Sequence, residues 1–393
     1  MCKFHSVPLS SPDNPDLSQG QVLMMAAATG IAVGSQYYNQ PLLGMIANDF
    51  GTASGLIATT TQTGYALGLI LLVPLGDKME RRTLILLQCL GLTLAMVAAS
   101  LSPGIYSLAF SSMLTGVFAT IAQQMIPHAA GLTSSLRRES VLATLTSGLL
   151  AGVLLARTVS GFMGAWYGWR SVFLLGALLS VLMMGCLAIR LPRSQPDRQP
   201  AYPQLLRSLF TLARHEPVLR NAALTQSLLF FGFSAFWTIL ALLLQTPRFG
   251  LDSGSAGLFG VVALAGAVLV PFGLRVTGKR GPQAAALSGV LLVAASFLLM
   301  IPMQTLTGLG IGVVMMTTGL QISLISHQSL ILRAAGSARG RFNTVFMAAQ
   351  FAFGAAGSAA ASLAWEHGGW TAVMVMAAAS ALLALCVRLT RLF

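Results

Sequence analysis

The chain has 393 residues, of which 55% are hydrophobic and only 8% charged, with a formal net charge of +13. Soluble domains carry about 25% charged residues, and a surface that meets water could not hide this much apolar area. The composition excludes a soluble enzyme or soluble binding module and points to an all-α membrane protein that crosses the bilayer many times.

Residues 1–20 lack the basic, apolar and small-residue succession of a signal peptide and read as a short tail. Twelve apolar runs follow, each long enough to cross a hydrocarbon core of about 30 Å as a helix. Six lie at 21–46, 54–75, 83–101, 104–131, 141–164 and 169–189. Six more lie at 219–246, 254–275, 284–301, 304–332, 341–364 and 369–388. With the N-terminus in the cytoplasm, every one of the 23 Lys and Arg except Arg157, Arg170 and Arg248 falls on the cytoplasmic side. This positive-inside pattern puts both termini in the cytoplasm and accounts for the basic balance without nucleic acid.

The first run ends in "GSQYYNQPLLGMIANDF", Gly34–Phe50. Gln36, Tyr37, Tyr38, Asn39 and Gln40 are together too polar to face lipid. They read either as contacts for a substrate of mixed polarity, or as interfacial aromatics beside a bend at Pro41.

Between the second and third runs stands "PLGDKMERRTLIL", Pro74–Leu86, with Asp77, Lys78, Arg81 and Arg82. This loop resembles the signature of the major facilitator superfamily, an Asp followed by a basic residue and a basic pair. Val73 and Glu80 stand where that signature has glycines, and the second-half copy, "FGLRVTGKRGP", has Thr277 in place of the Asp. The resemblance implies two six-helix bundles, residues 21–190 and 219–393, rocking around a midplane site. It also implies that Asp77 sits at a helix N-terminus and pairs across the bundles as a gate, with Lys78, Arg81 and Arg82 beside it. The alternative is that these cations only set topology. "YYNQP" looks like a pattern from a bacterial branch rich in efflux proteins, which implies the inner membrane as the location. In the implied fold the first, fourth, seventh and tenth helices line the cavity.

On the fourth and tenth runs, Gln123, Gln124 and Gln321 are then lining candidates. His128 and His327 stand about 200 residues apart, the repeat offset, and titrate near neutral pH. They read as proton carriers or as helix-end residues bonding a carbonyl. The seventh run offers Phe236 and Trp237 within "FSAFWTIL".

The fifth run contains Arg157, about 24 Å along its helix from Val141 at roughly 1.5 Å per residue. Gly148, Gly152, Ala156, Ser160 and Gly164 form a small-residue ridge suited to tight packing. Arg157 lies about 100° around from that ridge, which turns it to the bundle interior. Its two readings are an anion-binding or conformational role, and a structural role capping carbonyls or pairing with Asp49 or tyrosines. All ten acidic residues lie outside the apolar cores, and Asp49 is the nearest candidate for proton coupling.

Three motif pairs repeat in order at nearly constant offset: "FGTASG" and "FGLDSG", "VPLG" and "VPFG", "GWRSVF" and "GWTAVM". The offset spans six helices, so the halves share one orientation, the parallel-repeat arrangement. Between them residues 191–218 form a cytoplasmic linker, Pro-rich and then amphipathic through Leu205, Leu206, Leu209, Phe210 and Leu212. The four cysteines are isolated and suggest neither disulfide nor metal site. Motifs for hydrolase, metalloprotease or nucleotide chemistry are missing, so an enzyme is not expected, and neither is a cofactor.

The expectation is a monomeric secondary transporter in the lipid bilayer, exporting a small amphipathic molecule against protons. The alternatives are a transporter of a small organic anion and a non-transporting sensor of the same fold.

Overall fold

A computed structural model describes residues 16–51, 54–134, 136–193 and 201–390, apart from the side chain of Ser337. Most of the expected N-terminal tail, residues 194–200 of the expected linker, Cys2, Lys3 and Arg391 lie outside the described residues. Those described are helical almost throughout, with no strand among them.

The first expected run is divided. Helix α1 spans Gln19–Ser35 and α2 spans Leu43–Phe50, with a 3₁₀ turn at Gln40–Leu42 between them. Pro41 lacks an N–H and its ring crowds the preceding turn, and the α-helical bonding breaks off ahead of it. Residues 36–42 are held by short-range bonds instead, Tyr37 N–H to Gly34 O and Leu42 N–H to Asn39 O.

Next come α3 (Gly55–Leu71), α4 (Arg81–Ser100), α5 (Ile105–Phe118) and α6 (Ile121–Gly131), the last two continuing as one span. Helices α7 (Arg138–Tyr167) and α8 (Trp169–Arg190) meet at Gly168. After the linker helix α9 (Tyr202–His215) come α10 (Pro217–Gln245), α11 (Ser253–Thr277), α12 (Pro282–Met300) and α13 (Leu306–Ala334). The eleventh and twelfth expected runs share α14 (Arg339–Leu389), two helices joined at a kink where Gly369 has φ 58° and ψ −152°.

Among the described residues, ten helices are long and apolar enough to cross a membrane. The difference from twelve runs has two causes. Pro41 cuts the first run into pieces too short to qualify, and Gly369 joins the last two without a loop.

The repeat is visible in backbone conformation. Gly51 and Gly250 have φ of 87° and 60°, and Gly168 and Gly369 have 81° and 58°. These paired positions occupy the left-handed region, where a residue without Cβ is favoured. One apolar core gathers residues between Leu17 and Leu191. A second gathers mainly residues between Leu228 and Ala384, but takes in Tyr65, Ala66, Leu69 and Ala119 from the first half.

The small-residue ridge of α7 packs on α1. A Cβ at Gly148 would strike the backbone of Ala26, and one at Gly152 the backbone of Gly30. A second face of α7 meets the other half: Gly161 lies against Ser253 and Gly257 of α11. Thr158 donates to Gly257 O at 3.1 Å, and Ser253 to Gly161 O at 3.1 Å. The two halves are therefore in backbone contact toward the end that carries Asp49.

At the other end, which carries Asp77, they stand apart around a cavity of about 430 Å³. Leu205 and Leu209 of α9 turn inward to this cavity, and Tyr202 donates to Leu71 O at 2.7 Å, while Phe210 stays exposed. The apolar face of the linker helix thus packs largely on protein.

Candidate functional site

Arg157 emerges between the two packed faces of α7 and is only 2% exposed. Its Nε donates to Gln40 Oε1 at 2.7 Å. Its guanidinium carbon lies 4.4 Å from the centroid of the Tyr37 ring and 4.1 Å from that of the Trp237 ring, over both. Gln40 and Tyr37 come from the broken end of the first helix, and the divided geometry around Pro41 is what lets both reach one side chain. Trp237 comes from α10 in the other half, so the cation joins the halves.

No Asp or Glu among the described residues lies within salt-bridge distance of Arg157. Removing an ion from water costs several kcal/mol even after relaxation. Each ring face returns about 2 kcal/mol or somewhat more when desolvated. The charge is held but not neutralised, and Nη2 has no hydrogen-bond partner among the described residues.

Beside Arg157 is a cavity of about 50 Å³, also lined by Phe233, Trp237, Thr317 and Gln321. From Trp237 a ladder of rings crosses between the halves. Trp237 meets Phe233 at 6.1 Å and Phe233 stacks on Phe230 at 5.3 Å. Phe230 meets Phe351 edge-on at 5.1 Å, and Phe351 meets Tyr65 of the first half at 4.4 Å.

Near the ladder, Gln62 of α3 bridges two helices of the other half. Its Nε2 donates to Ser358 Oγ at 3.1 Å and its Oε1 accepts from Ser234 Oγ at 3.0 Å. Thr238 also donates to Ser358 Oγ, at 2.9 Å.

Of the residues singled out in the sequence, Tyr37, Gln40, Arg157, Trp237 and Gln321 are brought together here. Asn39 is nearby in sequence but donates to Thr61 Oγ1 at 2.8 Å, and Gln36 is buried with both amide atoms unpartnered among the described residues. Tyr38 turns away; its ring lies beside Gly176 of α8, and its carbonyl accepts from Ser160 Oγ. Phe236 packs on Trp370 at 6.0 Å within the second half.

Gln123 and Gln124 line the larger cavity with Asp77 and Arg81, and Gln124 also donates to Leu72 O at 2.7 Å. Asp77 pairs with Arg81 of its own half at 2.9 Å, while Arg82 donates to Ala188 O. Lys78 is exposed and does not line the larger cavity.

The three proton-coupling candidates lie apart from the Arg157 cluster. Asp49 accepts from Trp169 Nε1 at 2.8 Å and pairs with Arg170 at 3.6 Å at the far end. The His128 ring meets Pro192 O at 3.1 Å, and His327 meets Ser323 Oγ at 3.2 Å inside the second half.

Sequence reading missed Gln62, Phe230, Phe233, Thr317 and Phe351. A signal existed for some: Phe230, Phe233 and Trp237 share one helical face, and Gln62 is a lone amide inside an apolar run.

Comparison with known proteins agrees with this architecture. The chain is 39% identical over 378 residues to the uncharacterized transporter YgaY of Escherichia coli O157:H7, covering 95% of this chain and 96% of that one. It is 32% identical over 174 residues to the multi-drug resistance efflux pump PmrA of Streptococcus pneumoniae, covering 43% of this chain and 42% of the pump. The crystal structure of the human organic anion transporter MFSD10 superposes with a TM-score of 0.70 at 18% identity, over 95% of this chain and 100% of that one; this likeness concerns the fold alone. The Major Facilitator Superfamily profile matches residues 25–358. A repeated helical chain whose halves close around a buried cation, matched over most of its length by that profile, belongs to the major facilitator superfamily and is a transporter, not an enzyme.

Proposed function

We propose that this chain exports small amphipathic molecules by alternating access, in exchange for protons. In this reading residues 21–190 and 219–393 are two six-helix bundles, joined by the linker 191–218. The chain crosses the bacterial inner membrane twelve times as a monomer. The Asp77 end faces the cytoplasm because it carries the cations of the basic loops.

The observation that carries the reading is the asymmetry of the interface. The halves touch through backbone at the Asp49 end and enclose a cavity of about 430 Å³ at the Asp77 end. Rocking the halves would open the first contact and close the second, exposing the Arg157 cluster to either side in turn. The Asp77 pairing fits this state. Its carboxylate holds Arg81 of its own half while Arg339 and Arg341 of the other half line the same cavity. Closure would let those arginines reach it.

Similarity to an efflux pump supports the outward direction. Proton coupling rests on the family branch; within the helices, His128 and His327 are the buried titratable groups best suited to it.

The test is counterflow in proteoliposomes with purified protein and a panel of amphipathic dyes, with and without an imposed pH gradient. Solute-dependent counterflow accelerated by an acidic exterior is expected. Saturable binding without flux would remove the transport reading in favour of a sensor.

A further inference from the structure

Three buried side chains lining the cavity of about 50 Å³ beside Arg157 carry polar atoms with no partner among the described residues. They are Arg157 Nη2, Trp237 Nε1 and Thr317 Oγ1, on residues 2%, 2% and 8% exposed. Two are obligate donors and the third is a hydroxyl that can donate. Native structures rarely leave buried donors unmet, and three around one small space describe the complement of an oxygen-rich anion.

We propose that this cavity receives the carboxylate of a small monoanionic solute whose remaining surface is apolar. The inference deepens the transport reading, since it names the substrate class of the same interface.

Charge decides the class first. Arg157 repels cations, and its one positive charge balances one negative charge. A phosphate or sulfate dianion would leave a net charge buried among Phe233, Leu154 and Leu320. Geometry decides next. Two ring faces cover the guanidinium and Gln40 occupies Nε, so a ligand meets Nη2 from the edge, in the manner of a planar carboxylate. Space comes last: the cavity admits a headgroup only, and the apolar walls would accept the adjoining carbon atoms.

The contact also ties occupancy to conformation. Arg157 and Thr317 lie in different halves, so a carboxylate bound to both would hold the halves together at the site.

The experiment is a thermal-shift titration of the purified full-length protein with matched probes, benzoate against benzamide and hexanoate against hexanamide. A saturable stabilisation by at least one carboxylate, with none from its amide, is expected. Thr317→Val, which retains shape, and Trp237→Phe, which keeps a ring face, should each weaken it by roughly tenfold, as for one hydrogen bond to a charged group. Arg157→Gln should abolish it. Gel filtration verifies that each variant is folded, and the two conservative variants carry the test if Arg157→Gln is not. Equal shifts from acid and amide, no shift from any probe, or unchanged affinity in Thr317→Val and Trp237→Phe would overturn the proposal and leave the donors to water.

Counterflow of the same probes keeps the two readings separate. Carboxylate binding without flux leaves this site standing and removes transport. Flux of neutral dyes without carboxylate binding leaves transport standing and removes the site.

Discussion

Arg157 carries a charge it cannot shed in a protein, so its surroundings have to answer for a full cation. They do so with two ring faces, one neutral amide and the Val153 carbonyl, which accepts from Nη1 at 3.5 Å, and with no carboxylate among the described residues. If the arginine were there for stability, an apolar replacement of similar length should weaken the fold. Replacing buried charged groups with well-packed apolar side chains is instead often neutral or stabilising, by about 1–4 kcal/mol where the charges are ion pairs. Arg157→Met is therefore expected to melt at the same temperature as the parent or higher, and to lose counterflow. A markedly lower melting temperature with flux retained would assign the arginine to structure. This residue was legible because a cation in an apolar run is conspicuous on any scale. Its partners were legible only by type: Tyr37 and Trp237 are aromatic, but nothing local says that their faces meet on one guanidinium. Thr317 was not legible, because a threonine in a buried helix differs little from the valines and methionines around it.

Among the elements, α7 shows how far spacing alone can be read. Its ridge at four-residue intervals packs on α1 as small-residue ridges do, and Gly152 faces the backbone of Gly30 with no room for a Cβ. Gly152→Val should cost about 1–3 kcal/mol by overpacking, lowering the melting temperature of the purified protein. Gly185, where a Cβ meets nothing within 4 Å, is the control, and Gly185→Ala should leave melting unchanged or raise it. The second contact face of α7, Gly161 on α11, fell outside the four-residue ladder and was invisible until both helices were placed. The break at Pro41 was readable as a bend, but the fusion at Gly369 was not, since two adjacent glycines serve a loop as readily as a kink.

A smaller tether joins the tail to the turn before α7. Asp16 accepts from the Ser134 backbone N–H at 2.8 Å and from its hydroxyl at 3.0 Å, and these bonds hold its carboxyl below the usual value of 3.8. A carboxyl lowered on folding contributes above its unfolded pKa and is lost as pH falls through the folded one. The tether should therefore be complete throughout the neutral range. Hydrogen exchange at Ser134, corrected for intrinsic rates, should be flat between pH 5 and 8 and faster in Asp16→Asn at every pH. A change with a midpoint near neutrality would contradict the assignment.

At the scale of the whole molecule, the three repeated motifs disclosed the two-fold design, and the paired glycines with positive φ give it a backbone basis. Which end is closed was beyond reach, because that depends on contacts between residues far apart in sequence, such as Gln62 with Ser358. Those contacts also say how firmly the end is closed. Gln62 makes two hydrogen bonds across the interface, to Ser358 and from Ser234. Buried hydrogen bonds between membrane helices average about 0.6 kcal/mol, so the pair holds this closure by about 1.2 kcal/mol, near a factor of eight in population. Gln62→Leu keeps a comparable bulk and removes both bonds, and should shift the equilibrium toward opening at the Asp49 end by roughly five- to tenfold. The shift can be read at Ser54, which is fully buried next to Gly55, itself packed on Ser362 of the other half. With the native cysteines replaced, Ser54→Cys should react with a membrane-impermeant maleimide from the Asp49 side several times faster in Gln62→Leu than in the parent. An unchanged rate would mean that the glycine contact between α7 and α11 sets the closure and that Gln62 only fills the interface.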